Sequence, residues 1–189
     1  MTAAALYIDP RGPYPALLGH ELCWDEARDA RTYAGPWPVV AHPPCGPWGR
    51  LRFLCTKQDA SLAPLAVDQV RAWGGVLEHP VDSLLWRHCR LPRPGELPDE
   101  YGGRTYRVDQ VSWGHCCVKP TWLYVVGVPS RRVVADMRSG GVPSRRVTSG
   151  PRGPRLPSAS QQARRRTPVA FARWLISLAE QAGRRAAAE

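Results

Sequence analysis

No apolar run in this chain approaches the roughly 18 residues that a membrane-spanning helix needs, which excludes that class of protein. The N-terminal stretch MTAAALYIDP lacks the basic-then-apolar layout of a secretory leader, so the expected location is the cytoplasm in which the chain is made. Six cysteines (Cys23, Cys45, Cys55, Cys89, Cys116, Cys117) are then expected as reduced thiols rather than a disulfide framework. None pairs as Cys-x-x-Cys. His42, Cys45 and Cys55, or His115, Cys116 and Cys117, are the groups a zinc ion would use, but their irregular spacing leads to an expectation of no metal. Lysine is scarce too, with 24 of the 26 basic residues being arginine. Together with abundant Pro, Gly and Ala, that is also what a GC-rich coding sequence produces whatever the function.

The net charge of +10 is unevenly placed. Residues 1–126 hold 13 basic and 13 acidic side chains, whereas residues 127–189 hold 13 basic against 3 acidic. A neutral body with a basic C-terminal part suggests a polyanion partner such as DNA. At 189 residues the chain is one domain by length and can bury a single core.

Ala5–Ile8 reads as a first strand, stopped by the proline- and glycine-rich loop Asp9–Pro15. Residues 23–34 are polar and suggest one short helix. Pro38-Val39-Val40-Ala41-His42-Pro43-Pro44-Cys45 follows, with two β-branched residues running into a rigid turn that ends on a thiol. A helix starting between Asp59 and Pro64 carries Leu65, Ala66, Val70 and Trp73, and Gly74-Gly75 closes it. Gly75-Val76-Leu77-Glu78-His79-Pro80 is a second buried strand ending on polar residues. Strand, helix, strand is a βαβ unit and predicts a parallel pair. Residues 81–86 read as a helical turn, 91–103 as a loop, and 106–111 and 120–126 as strands.

The heptad Gly127–Val133 recurs identically as Gly141–Val147, one local duplication rather than a solenoid. Residues 127–166 read as a flexible Arg/Pro/Gly-rich segment, 137–166 most plainly. A C-terminal helix is expected over 167–184, with Thr167 and Pro168 at its start and Val169, Phe171, Ala172, Leu175, Ile176 and Leu178 docking on the body.

The order of these motifs resembles the cytosine-C5 DNA methyltransferases, especially short phage and prophage relatives. Pro43-Pro44-Cys45 matches the nucleophile loop of that family, and Leu77-Glu78-His79-Pro80 its Glu-Asn strand end, with His79 in place of Asn. Gln110-Val111-Ser112-Trp113-Gly114 is similar to the Gln-x-x-Tyr-Gly segment, and Lys119-Pro120-Thr121-Trp122-Leu123 to the Lys-Pro-Thr stretch. Thr167–Ala172 is similar to the family's C-terminal helix. The resemblance covers most of 1–126, the expected core domain, plus the last helix. It implies a methyltransferase-like, Rossmann-like α/β fold of reduced size, a parallel or mixed sheet with flanking helices. It also implies a transferase that modifies DNA, with a host-cytoplasm location if the gene is phage-borne.

By that resemblance Cys45 is the nucleophile that attacks C6 of a pyrimidine, and Glu78 the partner at N3, which must keep a proton to play that part. The target base would be flipped out of the duplex. Pro44, Arg50, Gln110, Lys119 and Thr121 are the expected substrate-binding residues, and S-adenosylmethionine the expected cofactor, with Asp9 and Gly12 in the place of its usual loop and Asp25 or Asp29 in the place of the acid that holds its ribose. The first loop departs from the family's glycine-rich form, and no target-recognition domain follows. Two other readings therefore stand beside methyl transfer. One is an inactive nucleic-acid-binding derivative; the other keeps the Cys–Glu pair with another co-substrate. Cys45 as an ordinary buried thiol is the plainer alternative.

Overall fold

The computed structural model describes residues 2–50, 52–55, 58–147 and 156–186. Six strands form one mixed sheet in the order β2-β1-β3-β4-β6-β5. They are β1 (Ala4–Leu6), β2 (Cys23–Trp24), β3 (Val39–Ala41), β4 (Gly75–Pro80), β5 (Arg104–Asp109) and β6 (Pro120–Val126). β1 to β4 are mutually parallel, and β6 runs antiparallel to both β4 and β5. The expected βαβ unit is present as β3, α2 (Leu62–Trp73) and β4. Gly75 starts β4 at a φ of +113°, with Val39 alongside; any Cβ there would strike the Val39 carbonyl oxygen, so the close approach of the two strands requires glycine.

Strand parity sorts side chains onto two covered faces. Val39, Ala41, Leu77 and Tyr124 pack against α2 and α3 (Leu85–His88). Val40, Val76, Leu123 and Val125 pack against α6 (Val169–Ala186), with Tyr14 of α1 (Tyr14–Leu18) on the same side. The result is a helix-sheet-helix sandwich, the α/β class expected. Among the described residues no helix is long and apolar enough to cross a membrane.

Several boundaries moved for physical reasons. β1 stops at Leu6 because Tyr7 takes a φ of +58°. Residues 23–34 form no single helix. Asp25 accepts from the amides of Ala27 and Arg28, and Asp29 from that of Arg31, so local side-chain bonds replace the helical ladder. The helical turn expected at 81–86 lies at Leu85–His88, where the Ser83 hydroxyl accepts from the Leu85 amide.

Parts of the segment expected to be flexible are tied to the body, while 138–142 are exposed; residues 148–155 of it lie outside the described range. α4 (Ser130–Ala135) buries Val133 completely. The amides of Ser144 and Arg145 donate to the Cys116 carbonyl at 3.0 and 2.9 Å, Arg146 bridges to Ser158, and α5 (Gln161–Arg165) follows. The duplicated heptads therefore fold differently: Gly127–Val133 enters a helix, and Gly141–Val147 stays irregular against Cys116. Tertiary contacts decide what identical local propensities leave open.

α6 docks through Phe171, fully buried, and Trp174, whose ring stacks on Trp113 at 4.7 Å between centroids. Phe171→Ala is expected to cost about 3–5 kcal/mol in denaturant unfolding. Val169→Ala, at an exposed position of the same helix, should stay within about 0.5 kcal/mol of the parent. Equal effects from both would contradict the docking.

Candidate functional site

The site lies at the carboxyl ends of β3 and β4, the edge of an open α/β sheet where ligands bind. Residues of even number on both strands face α1 and α6, so His42, just past Ala41, and Glu78 share that face. Glu78 pairs with Leu123 across β4–β6, which puts Thr121 diagonally beside it. Gln110, directly after β5, follows the same parity as Tyr106 and Val108.

These neighbours converge on one buried carboxylate. Glu78 Oε1 accepts from Gln110 Nε2 at 2.9 Å and faces the Thr121 hydroxyl at 3.4 Å; Oε2 lies 3.0 Å from His42 Nδ1. Burial raises the carboxyl pKa, but the Lys119 charge, the His42 hydrogen bond and charge, and the His79 ring together outweigh it and hold Glu78 down at about 2. An ionised carboxylate only accepts, so His42 Nδ1 carries the hydrogen. Its Nε2 meets the Tyr14 hydroxyl at 2.5 Å. Burial, then the Glu78 and Cys23 charges, raise Tyr14 well above its usual range, so it remains a neutral hydroxyl. Tyr14, His42 and Glu78 thus form one hydrogen-bonded line from α1 across β3 to β4.

The resemblance gives Glu78 the N3 of a pyrimidine on condition that it keeps a proton. Its surroundings favour the charged form instead, because burial here comes with three polar partners and a cation rather than an apolar wall.

Cys45 is exposed. Its loop is tied down on two sides: the Gly46 amide donates to Gln58 Oε1 at 3.0 Å, and the Leu84 amide to the Trp48 carbonyl at 3.0 Å. The neighbouring groups raise the thiol pKa by desolvation and then by the Glu78 charge, with Lys119 and Arg165 pulling the other way. Cys45 is therefore close enough to Glu78, Lys119 and Arg165 to feel their charges. His79, in the position where the resembled family has Asn, turns to the opposite face and bonds Ser83 Oγ at 2.8 Å. Burial lowers its pKa to about 4, against opposing pulls from Glu78 and the Pro44 carbonyl, so the ring stays neutral at physiological pH.

The other expected site residues divide. Lys119, half-buried, stands with Cys45 and Glu78. Gln110 and Thr121 are fully buried and hold the carboxylate rather than facing solvent. Pro44 shapes the loop, and Arg50 is exposed after it. Asp9 and Asp29 are each closed by the arginine two residues on, Arg11 and Arg31. Gly12 donates its amide to the Asp9 carbonyl within a tight turn. The start of α1 carries Pro13 and Pro15, which have no amide hydrogen to offer an anion. Asp9, Gly12 and Asp29 therefore form no cradle for S-adenosylmethionine. Tyr14 was not foreseen as a site residue, and His42 was weighed only as a zinc ligand. The signal for His42 was available, since it follows the β3 strand with the parity of Val40.

Outside this cluster, His115, Cys116 and Cys117 bring one ligand atom each within 4.8 Å of one another, although no metal was expected.

Alkylation of Cys45 by iodoacetamide, followed by peptide mass mapping, tests the electrostatic coupling. Removing the Glu78 charge (Glu78→Gln) lowers the thiol pKa and should speed alkylation at pH 8. Removing the Lys119 charge (Lys119→Met) raises it and should slow the reaction. A Glu78→Gln rate equal to or below the parent would contradict the arrangement. Comparison of the chain with protein-family models, with curated proteins and with solved structures finds no match.

Proposed function

We propose that this protein is a pyrimidine-modifying enzyme of the cytosine-C5 methyltransferase kind, acting on DNA through Cys45. The observation that carries the reading is an exposed thiol at the end of one central strand, beside a carboxylate that four neighbouring side chains hold ionised at the end of the next. A sheet of mixed strands flanked by helices agrees with the same reading.

The roles follow from charge. Cys45 sulfur adds to C6 of the ring as its proton leaves to water; the S–C6 bond forms and the C5=C6 π bond opens. Negative charge then spreads over C5, N3 and O2, where the Lys119 cation offsets it. Glu78, an acceptor, suits the 4-amino group of cytosine, a donor, better than N3. His42, backed by Tyr14, fixes the carboxylate's direction. The nature of the group joined to C5 is left to a co-substrate. The Arg-rich segment supports a nucleic-acid substrate, because Arg165 of α5 bears on the Cys45 sulfur and would meet a phosphate near the target base.

Addition and reversal require no methyl donor, which separates the chemistry from the cofactor question. In D₂O the adduct takes a deuteron at C5, loses the original proton and expels the thiolate. Cytosine-containing DNA incubated with the protein should therefore gain deuterium at C5, read by nucleoside mass spectrometry. Cys45→Ser should abolish the gain. The proposal fails if the parent protein gives no exchange or if Cys45→Ser exchanges as fast. Salt-sensitive DNA binding without exchange would instead favour a binding protein that retains the pocket.

A further inference from the structure

We propose that His115, Cys116 and Cys117 form a binding site for a zinc-class divalent cation, which fastens the Arg-rich segment to the body beside the candidate site. The inference rests on the geometry of this cluster and not on the pyrimidine reading.

The two sulfurs are 3.7 Å apart. Two thiolates on a tetrahedral zinc, each at about 2.3 Å, stand about 3.8 Å from one another, so the observed spacing is that of a ligand pair. It is far from a disulfide, and both cysteines are free. One His115 ring nitrogen lies within 4.8 Å of both sulfurs.

A second, independent observation concerns the same ring. His115 is 5% exposed, and its Nε2 is buried without a hydrogen-bond partner. A polar atom in that state is costly unless something binds it. Its Nδ1 stands against both backbone groups of Cys117, 2.8 Å from the carbonyl oxygen and 3.0 Å from the amide nitrogen. In the tautomer that donates from Nδ1 to the carbonyl, an arrangement common among metal-binding histidines, the Nε2 lone pair is left for the ion. Cys116 is half-buried, so the cluster reaches the surface and an ion can enter. Three protein ligands leave a fourth tetrahedral position for water.

The place of the cluster explains what it would do. The Cys116 carbonyl accepts from the amides of Ser144 and Arg145, and its sulfur lies 4.0 Å from the Ala163 carbonyl oxygen in α5. The His115 amide donates to the Gln110 carbonyl at 3.1 Å, and Gln110 holds Glu78. A cation here joins both stretches of the Arg-rich segment to the loop that orients the carboxylate. Its removal should loosen 144–146 and α5 while leaving the sheet folded.

Cobalt(II) added to the reduced full chain supplies the test, because cysteine thiolates on cobalt give a near-ultraviolet charge-transfer band. The expected result is a 1:1 band that zinc displaces. It should be lost in Cys116→Ser and Cys117→Ser, weakened at least about tenfold in affinity in His115→Gln, and unchanged in Cys45→Ser, Cys55→Ser and Cys89→Ser. Zinc should also slow tryptic cleavage after Arg145 and Arg164 in the parent but not in Cys116→Ser. Absence of a band in the parent, or its survival in both Cys116→Ser and Cys117→Ser, would overturn the site. A band without zinc protection from trypsin would overturn the fastening role.

Discussion

A charge buried at the end of a central strand is the constraint around which this molecule is arranged. Glu78 enters the interior on β4, where its neighbours are valine and leucine, and an ionised carboxylate there is tolerated only with partners. Each partner comes from a different part of the fold: His42 after β3, Gln110 after β5, Thr121 and Lys119 on and before β6. The sheet order is what brings them together, since β4 lies between β3 and β6. Because the folded-state pKa of Glu78 is depressed from 4.5 to about 2, its contribution to stability is present above 4.5 and lost as pH falls through 2. The shift corresponds to something on the order of 3 kcal/mol.

Burial first, and then the same charge, raise the pKa of the thiol. A carboxylate near Cys45 makes the thiolate harder to form, while Lys119 and Arg165 make it easier. A polyanionic substrate bound along the arginines would alter that balance as it arrives, and so would a metal ion that fixed α5 in place.

Much of the strand architecture was legible in the sequence. Pro120–Val126 and Gly75–Pro80 stand where their β-branched and aromatic residues place them. The end of β3, the cysteine loop and Glu78 could be put on one edge because a strand-helix-strand unit has only one sensible geometry. What stayed hidden depended on pairing at a distance. The protonation of Glu78 turns on burial against Lys119, His42 and His79, and no local pattern says that Lys119 and His42 meet it. The segment 127–166 looked loose by composition, yet 130–137, 144–146 and 159–166 make backbone hydrogen bonds that composition does not encode. Adjacent Cys116 and Cys117 fit no spaced zinc motif, and only the turn geometry after Trp113 brings their sulfurs and His115 together.

The protonation state of Glu78 is the point at which this account stands or falls. Carbon-13 NMR of the selectively labelled side-chain carboxyl, assigned by loss of the signal in Glu78→Gln, reads it directly. The account predicts an ionised carboxylate at every pH from 8 down to about 4, with titration only as pH approaches 2. A carboxyl that titrates at or above its ordinary value of 4.5 would contradict the account and restore a proton-donating Glu78.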